Sequence, residues 1–287
     1  MTSRRRLFAI PFAAAVAFAF PAVAGDLTLD GAMTQGGLVI GRTAPGTTVA
    51  VDGRSVRVSP EGLFLLGFGR DAAKRASVRL TGPDGGVVVR TIDVAARKYD
   101  VQRIDGLPPK QVTPDAETLA RIERERALVK EVRAEESDHT GFASGFAWPV
   151  IGPISGVYGS QRILNGEPRA PHFGVDIAAP PGTPVVVCAD GTVALVHEDM
   201  FLSGKTVLID HGHGLTSTYI HMSQILAREG DRVKKGDAIG RVGGTGRAMG
   251  PHLHWGLNLF ATPLDPALLV GPMPPGQNAA SPLSVSR

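Results

Sequence analysis

The stretch GPHLHWGL, residues 250–257, places His252 and His254 on either side of one leucine. On a strand, residues i and i+2 face the same way about 6.6 Å apart, whereas on a helix they diverge by about 200°. The spacing therefore predicts a strand that aims two imidazoles at one point. Two histidines on a polar sheet face would produce the same pattern, so the rest of the chain has to decide. TPVVVCADGTVALV (183–196), KTVLIDHGHGLTSTYIHM (205–222) and DAIGRVGG (237–244) are short β-branched runs joined by tight turns. They predict a mainly β domain over residues 141–270, with no long helix.

Working outward, residues 25–100 carry two hairpin signals. TTVAVDGRSVRV (47–58) alternates Val49, Val51, Val56 and Val58 around Asp52-Gly53, and VRLTGPDGGVVVRTIDV (78–94) repeats the device around Asp84-Gly85-Gly86. This predicts a small N-terminal β-sandwich, read as a binding or spacer module because it holds no histidine and no polar cluster suited to chemistry. Residues 101–140 read as a linker: a proline-bearing RIDGLPPKQVTP (103–114), then a helix over 114–136 with Thr113 as N-cap and Pro114 at its first position. Its thin apolar stripe, Leu119, Ile122, Val129 and Val132, predicts packing against a domain. A helix lying over a groove and controlling access is the functional alternative.

The first 24 residues read as an export signal: Arg4 to Arg6, then an apolar run from Leu7 to Phe20, then Ala22-Val23-Ala24 as a cleavage site. An uncleaved anchor is the rival, weakened by a run short for a membrane span. The arginines with Leu7 and Phe8 are an imperfect twin-arginine pattern, so the export route stays open. The chain has 30 basic and 27 acidic residues, and the three signal arginines account for the excess. The pI near 9.2 is then largely a property of the signal, and no nucleic-acid partner is expected. Cys188 is the only cysteine, which rules out an intramolecular disulfide; export without disulfides points to the periplasm or cell envelope of a bacterium. Residues 271–287 read as a disordered tail.

Seven of the eight histidines fall between positions 172 and 254. PHFGVDIAAP (171–180) supplies His172 and Asp176, which share a face in extended backbone. One histidine of the His252/His254 pair makes three ligands, leaving a fourth position for water as a catalytic zinc site requires. A closed structural zinc site commonly uses thiolates and this chain has one Cys, so a zinc here reads as catalytic; the His-Glu-x-x-His helix is absent.

HFGVDIAAPPGTPV (172–185), DGTVALV (190–196), IDHGHGLTSTYIHMS (209–223) and GDRVKKGDAIGRVGGTGRAMGPHLHW (230–255), in this order, resemble the lysostaphin/LytM-type zinc metallopeptidases that cleave peptidoglycan peptides. The resemblance covers residues 146–268. It implies that His172, Asp176 and His254 bind one Zn2+, that His252 and His221 act on water and the transition state, and that the domain is a small antiparallel β fold with an open groove. His252 is assigned as base and His221 as oxyanion donor, with the two roles exchangeable. Relatives commonly place an acid after the aromatic of the His-x-His strand, where this chain has Gly256.

Of the remaining residues, His211 and His213 are assigned structural or supporting roles, and His197 and His139 are read as surface histidines. Cys188 is assigned to the core. GGTGRAMG (243–250) is read as a flexible lead into the His252 strand, and Arg162 and Asn165 as substrate-groove residues. The expected partners are stem or cross-bridge peptides of peptidoglycan, with a regulatory protein or self-inhibition by the module or helix as the control. Three rivals are a non-hydrolytic amidase activator, opposed by the presence of all five site residues; a biotinyl/lipoyl-like carrier, for which Lys234 and Lys235 lack an acceptor motif; and a Cys188 peptidase.

Overall fold

The structure, a computed structural model, describes residues 27–104, 115–164 and 166–275. The export signal, the Thr113–Pro114 helix start, Asn165, the side chain of Arg162 and the tail from residue 276 lie outside the described residues. None of the described helices is long and apolar enough to cross a membrane.

The first part consists of β1 (Thr28–Gly31), β2 (Leu38–Arg42), β3 (Thr48–Val51), β4 (Arg54–Val56), β5 (Leu63–Gly67), β6 (Arg75–Thr81), β7 (Val87–Asp93) and β8 (Val101–Ile104). One antiparallel sheet has the order β1-β2-β5 and a second β4-β3-β6-β7. Alternation decides the inward face: Ala76, Val78 and Leu80 of β6 are buried in a core with Val39, Val49, Phe64, Leu66 and Ile92. Asp52 and Gly53 both have positive φ, 48° and 80°, as the two-residue return from β3 to β4 demands.

The stretch expected to begin as a linker at residue 101 begins as a strand. β8 pairs in parallel with β10 (Gln161–Leu164), which itself returns antiparallel to β11 (Glu167–Pro168). Four residues are too few to show a period of two, and the edge they pair with is supplied by chain far downstream. The helix α1 spans Ala116–Ala134 and not 114–136, because Asp115 is its N-cap and accepts the Thr118 N–H at 2.8 Å. Its apolar stripe is shifted from the expected one: Leu119 is exposed, Ile122 is buried as expected, and Leu128 joins Val129 and Val132 in packing on Leu195, Met200 and Leu208.

From residue 141 on, the described helices are four-residue 3-10 turns. The strands are β9 (Ile154–Gly156), β12 (Val175–Ala178), β13 (Pro184–Val186), β14 (Gly191–Met200), β15 (Gly204–Asp210), β16 (Leu215–Met222), β17 (Gln224–Ile225), β18 (Arg232–Val233), β19 (Ala238–Arg241), β20 (His252–Leu259) and β21 (Thr262–Leu264). The large sheet has the order β18-β14-β15-β16-β20-β12-β9, with β21 on β20, and a small sheet runs β13-β19-β17. Tyr219, Trp255, Val207, Leu253 and Ile177 fill one face of the large sheet, packing with Val185 and Ile239 of the small one. The alternate residues Leu208, Thr218, Gly256, His254 and Asp176 lie in register on the other face, the one covered in part by α1.

The two halves share buried surface. Leu38, Leu63 and Leu65 of the first half pack with Phe142, Leu215, Leu257 and Leu264 of the second. Polar ties flank this seam: Arg97 Nη1 donates to Asp265 Oδ2 at 2.8 Å, the Asp265 N–H donates to Gly36 O at 2.7 Å, and Arg70 Nε donates to Gly159 O at 2.9 Å.

Candidate metal centre

Strand register builds the centre. β12 and β20 pair so that Asp176 lies opposite His254. His172 enters from the loop ahead of β12, donating its N–H to Ser160 O and accepting from the Gly159 N–H, each at 2.8 Å. His172 Nε2 lies 3.0 Å from both Asp176 Oδ1 and His254 Nδ1, and His254 Nδ1 lies 2.8 Å from Asp176 Oδ1. Among the described residues this trio is the one group of His, Cys, Asp or Glu side chains with donor atoms gathered in this way. Gly174 makes the approach sterically feasible, because a Cβ there would stand 2.6 Å from the His254 ring.

The donor set fits a cation. His172 donates its Nδ1–H to Val157 O at 3.0 Å, which leaves Nε2 with a lone pair aimed at a carboxylate oxygen. Two acceptors in contact repel unless a proton or a metal cation lies between them, and two imidazole nitrogens with one carboxylate oxygen are a donor set that zinc accepts. The electrostatics agree. Burial pushes the Asp176 pKa up, but hydrogen bonds and charge from His172 and His254 outweigh it and hold the carboxyl well below the usual range. Burial lowers His172, and the hydrogen bond and charge of Asp176 more than offset this, leaving its pKa raised. For His254, set deeper beside the same carboxylate, burial dominates and the pKa falls.

His252, two residues before His254 on β20, and His221 at the end of β16 stand beside the trio. The His221 ring centre is 4.8 Å from that of His252 and 6.4 Å from that of His254. Both rings donate Nδ1–H to backbone carbonyls at 2.8 Å, His221 to Thr245 O and His252 to Gly250 O. In the neutral rings Nε2 is therefore the acceptor. Burial pushes the His221 pKa down to about 4. His221 also holds a left-handed φ of 64°, a strained conformation kept by its N–H donating to Ser203 O and by the Thr245 contact.

Thr245 was not singled out in the sequence, and GGTGRAMG is not the flexible lead expected there. Thr245 Oγ1 donates to Met222 O at 2.8 Å and accepts the Lys205 N–H at 2.9 Å, lashing the loop to β15 and β16 on either side of His221. No local pattern marks such a residue, since its partners Met222 and Lys205 lie 23 and 40 positions earlier in the chain.

The other histidines separate from the centre. His211 is fully buried, donates Nδ1–H to Asp190 O at 2.8 Å, and faces the Ser217 hydroxyl through Nε2 at 2.7 Å. His213 is buried against Phe142. His139 is not a plain surface residue: its Nε2 lies 3.1 Å from Asp210 Oδ2. Cys188 is fully buried, and burial raises its thiol pKa, which makes it a core residue and a poor nucleophile. At Gly256 a Cβ would meet Phe173 O at 3.3 Å, so the acid common in relatives has little room here without movement of that loop. Arg162 lies on β10, whose partner β11 leads into the His172 loop.

Residues 170–266 match the family model described as peptidase family M23. A crystal structure of an M23 peptidase from Pseudomonas aeruginosa is 30% identical, with a TM-score of 0.63 covering 83% of this chain and 95% of that one. The chain belongs to peptidase family M23. The likeness to that M23 structure extends beyond the metal-bearing half, since the match reaches 83% of the chain while the family model starts at residue 170. Among curated relatives, the peptidoglycan DD-endopeptidase ShyA of Vibrio cholerae is 42% identical over 113 residues, 39% of this chain and 26% of that protein. The cell division protein DipM of Caulobacter vibrioides is 34% identical over 149 residues, 49% of this chain and 24% of that protein. This M23 chain thus spans about a quarter of the length of the curated relatives it matches.

Proposed function

We propose that this M23 chain is an exported zinc endopeptidase that hydrolyses peptide cross-links of bacterial peptidoglycan. The observation that carries the reading is the convergence of His172, Asp176 and His254 with two further imidazoles, His221 and His252, beside them on one sheet face. The DD-endopeptidase relatives support the substrate class, and the signal-like residues 1–24 support an envelope location.

Held by His172, Asp176 and His254, a zinc ion would supply Lewis acidity, lowering the pKa of a water towards about 7 and polarising the scissile carbonyl. The remaining chemistry falls to the two free imidazoles. His221, its Nδ1–H held by Thr245 O, presents Nε2 as an acceptor for the proton of the attacking water; burial keeps the ring neutral before that step and weakens it as a base. The imidazolium so formed is a donor for the leaving amine. His252, fixed through Gly250 O, brings a second Nε2 to the same place, beside the oxygen that gathers charge. This is the exchange of roles that the sequence left open. Val157 and Thr245 carbonyls set the tautomers of His172 and His221, so neither ring has to reorient during turnover.

The test pairs metal content with hydrolysis. His254→Ala is expected to lose zinc and cleavage together. His221→Ala and His252→Ala are expected to keep zinc and lose cleavage by about 10²–10⁴-fold. Purified muropeptides digested with and without chelator, read by mass spectrometry beside metal analysis, give both quantities. Hydrolysis surviving in all three variants would sink the assignment.

A further inference from the structure

The sheet face that carries His254 continues past it to Gly256 on β20 and Thr218 on β16, which pair across the ladder. A side chain at Gly256 would begin 3.6 Å from Thr218 Cβ and 3.7 Å from His254 Nε2. The glycine thus leaves the threonine and the metal centre with no side chain between them. Arg133, in the last turn of α1, closes the far side of this space. Its Nη2 donates to Thr218 Oγ1 at 3.0 Å, while its Nε is sealed from solvent without a partner.

The guanidinium is half-buried, and among the described residues no carboxylate pairs with it. On α1, Arg121 pairs with Glu125 and Asp199 and Arg126 with Glu123, whereas Arg124 and Arg133 have no carboxylate partner among the described residues; Arg124 is exposed and Arg133 is not. Desolvation, unopposed by any neighbouring acid, pulls the Arg133 pKa down to about 10. A desolvated cation without a counterion is costly, and the guanidinium fork is matched to a planar carboxylate. Thr218 adds a hydroxyl at the same spot.

We propose that Arg133 and Thr218 form a subsite for a free carboxylate on the substrate peptide, an inference that rests on the peptidase reading. Paired strands lie about 5 Å apart and alternate residues about 6.6 Å apart, which puts Thr218 roughly 8 Å from His254 along the sheet. At about 3.3 Å per residue, the recognised carboxylate sits two to three residues from the scissile bond of an extended peptide. The helix α1 is then a wall of the substrate groove and selects acidic stem peptides over amidated ones.

The experiment uses the zinc-loaded full chain and two probes: cross-linked muropeptide dimers with free carboxyl groups, and the same dimers with those groups converted to amides. The parent is expected to favour the free acid by about tenfold or more in kcat/KM, expressed in KM. Arg133→Gln is expected to lose that preference, its kcat/KM falling about tenfold further on the free-acid dimer than on the amidated one, and Arg133→Lys restores part of it. A parent indifferent to amidation, or an Arg133→Gln variant that keeps the full preference, overturns the subsite. An equal loss on both probes does so too, since it marks Arg133 as a tie holding α1. Should Arg133→Gln fail to fold, the parent's preference and its weakening in Thr218→Val decide the matter. Cleavage of neither probe by the parent is a separate result, which removes the peptidase reading itself.

Discussion

Gly174 shows how much of the centre depends on one missing carbon. Its Cβ would stand 2.6 Å from two atoms of the His254 ring and 2.7 Å from Trp255 O, so Gly174→Ala has to displace the ring or β20. The expected result is a folded protein whose zinc affinity falls by about 10–100-fold, the range seen when support around a ligand is disturbed. Competition with a chromogenic chelator measures it, and an unchanged affinity would refute the steric argument. His211 permits a second prediction at this scale. Its folded pKa of about 4 lies below the ordinary 6.5, so between those values the unfolded chain binds a proton that the folded chain refuses. The penalty is absent above pH 6.5 and grows as pH falls towards 4, reaching about 2 kcal/mol at pH 5. Urea unfolding of the parent should therefore show stability falling from pH 7 to pH 5, and His211→Asn, destabilised at pH 7, should show a flatter dependence. Parallel slopes for the two proteins would contradict it.

Elements differ in how far the sequence discloses them, and the difference is one of contact range. β20 was legible because the i, i+2 spacing of two histidines maps directly onto a strand face; register then brought Asp176 of β12 opposite His254, while His172 arrives from the loop ahead of β12. The hairpin at Asp52-Gly53 was legible because the turn needs positive φ. By contrast β8 is four residues long and exists because β10 offers it an edge. The loop 243–250 was misread for the same reason: its order comes from Lys205, Met222 and His221, none of them near it in sequence. Thr245→Val preserves the shape of the side chain and removes both of its hydrogen bonds. Zinc binding is expected to persist while kcat falls about tenfold or more at similar KM, and Thr245→Ser is expected to restore it. If Thr245→Ser were as slow as Thr245→Val, the hydroxyl would not be what holds His221.

At the scale of the whole molecule, the seam between the halves decides what kind of protein this is. A spacer module would present a polar face to its neighbour, but Leu38, Leu63 and Leu65 are buried with Leu215, Leu257 and Leu264 in a single cluster. Separating the halves would expose that cluster to water, so each is stable largely through the other. The polar rim sharpens the point. Asp265 is only 5% exposed and relies on Arg97 for its counter-charge, although its Oδ1 also accepts the Ala267 N–H at 3.0 Å. Arg97→Ala leaves that carboxylate buried and unpaired, a loss of about 2–3 kcal/mol after allowance for the partial exposure of Arg97. For a chain of this size the corresponding fall in Tm is roughly 5–10 °C. Because the cluster is shared, the whole folded unit should move together: calorimetry is expected to give one transition in the parent and one, shifted down, in Arg97→Ala. Two resolved transitions, with only the lower one moved by the substitution, would mean that the first half is an appended module after all.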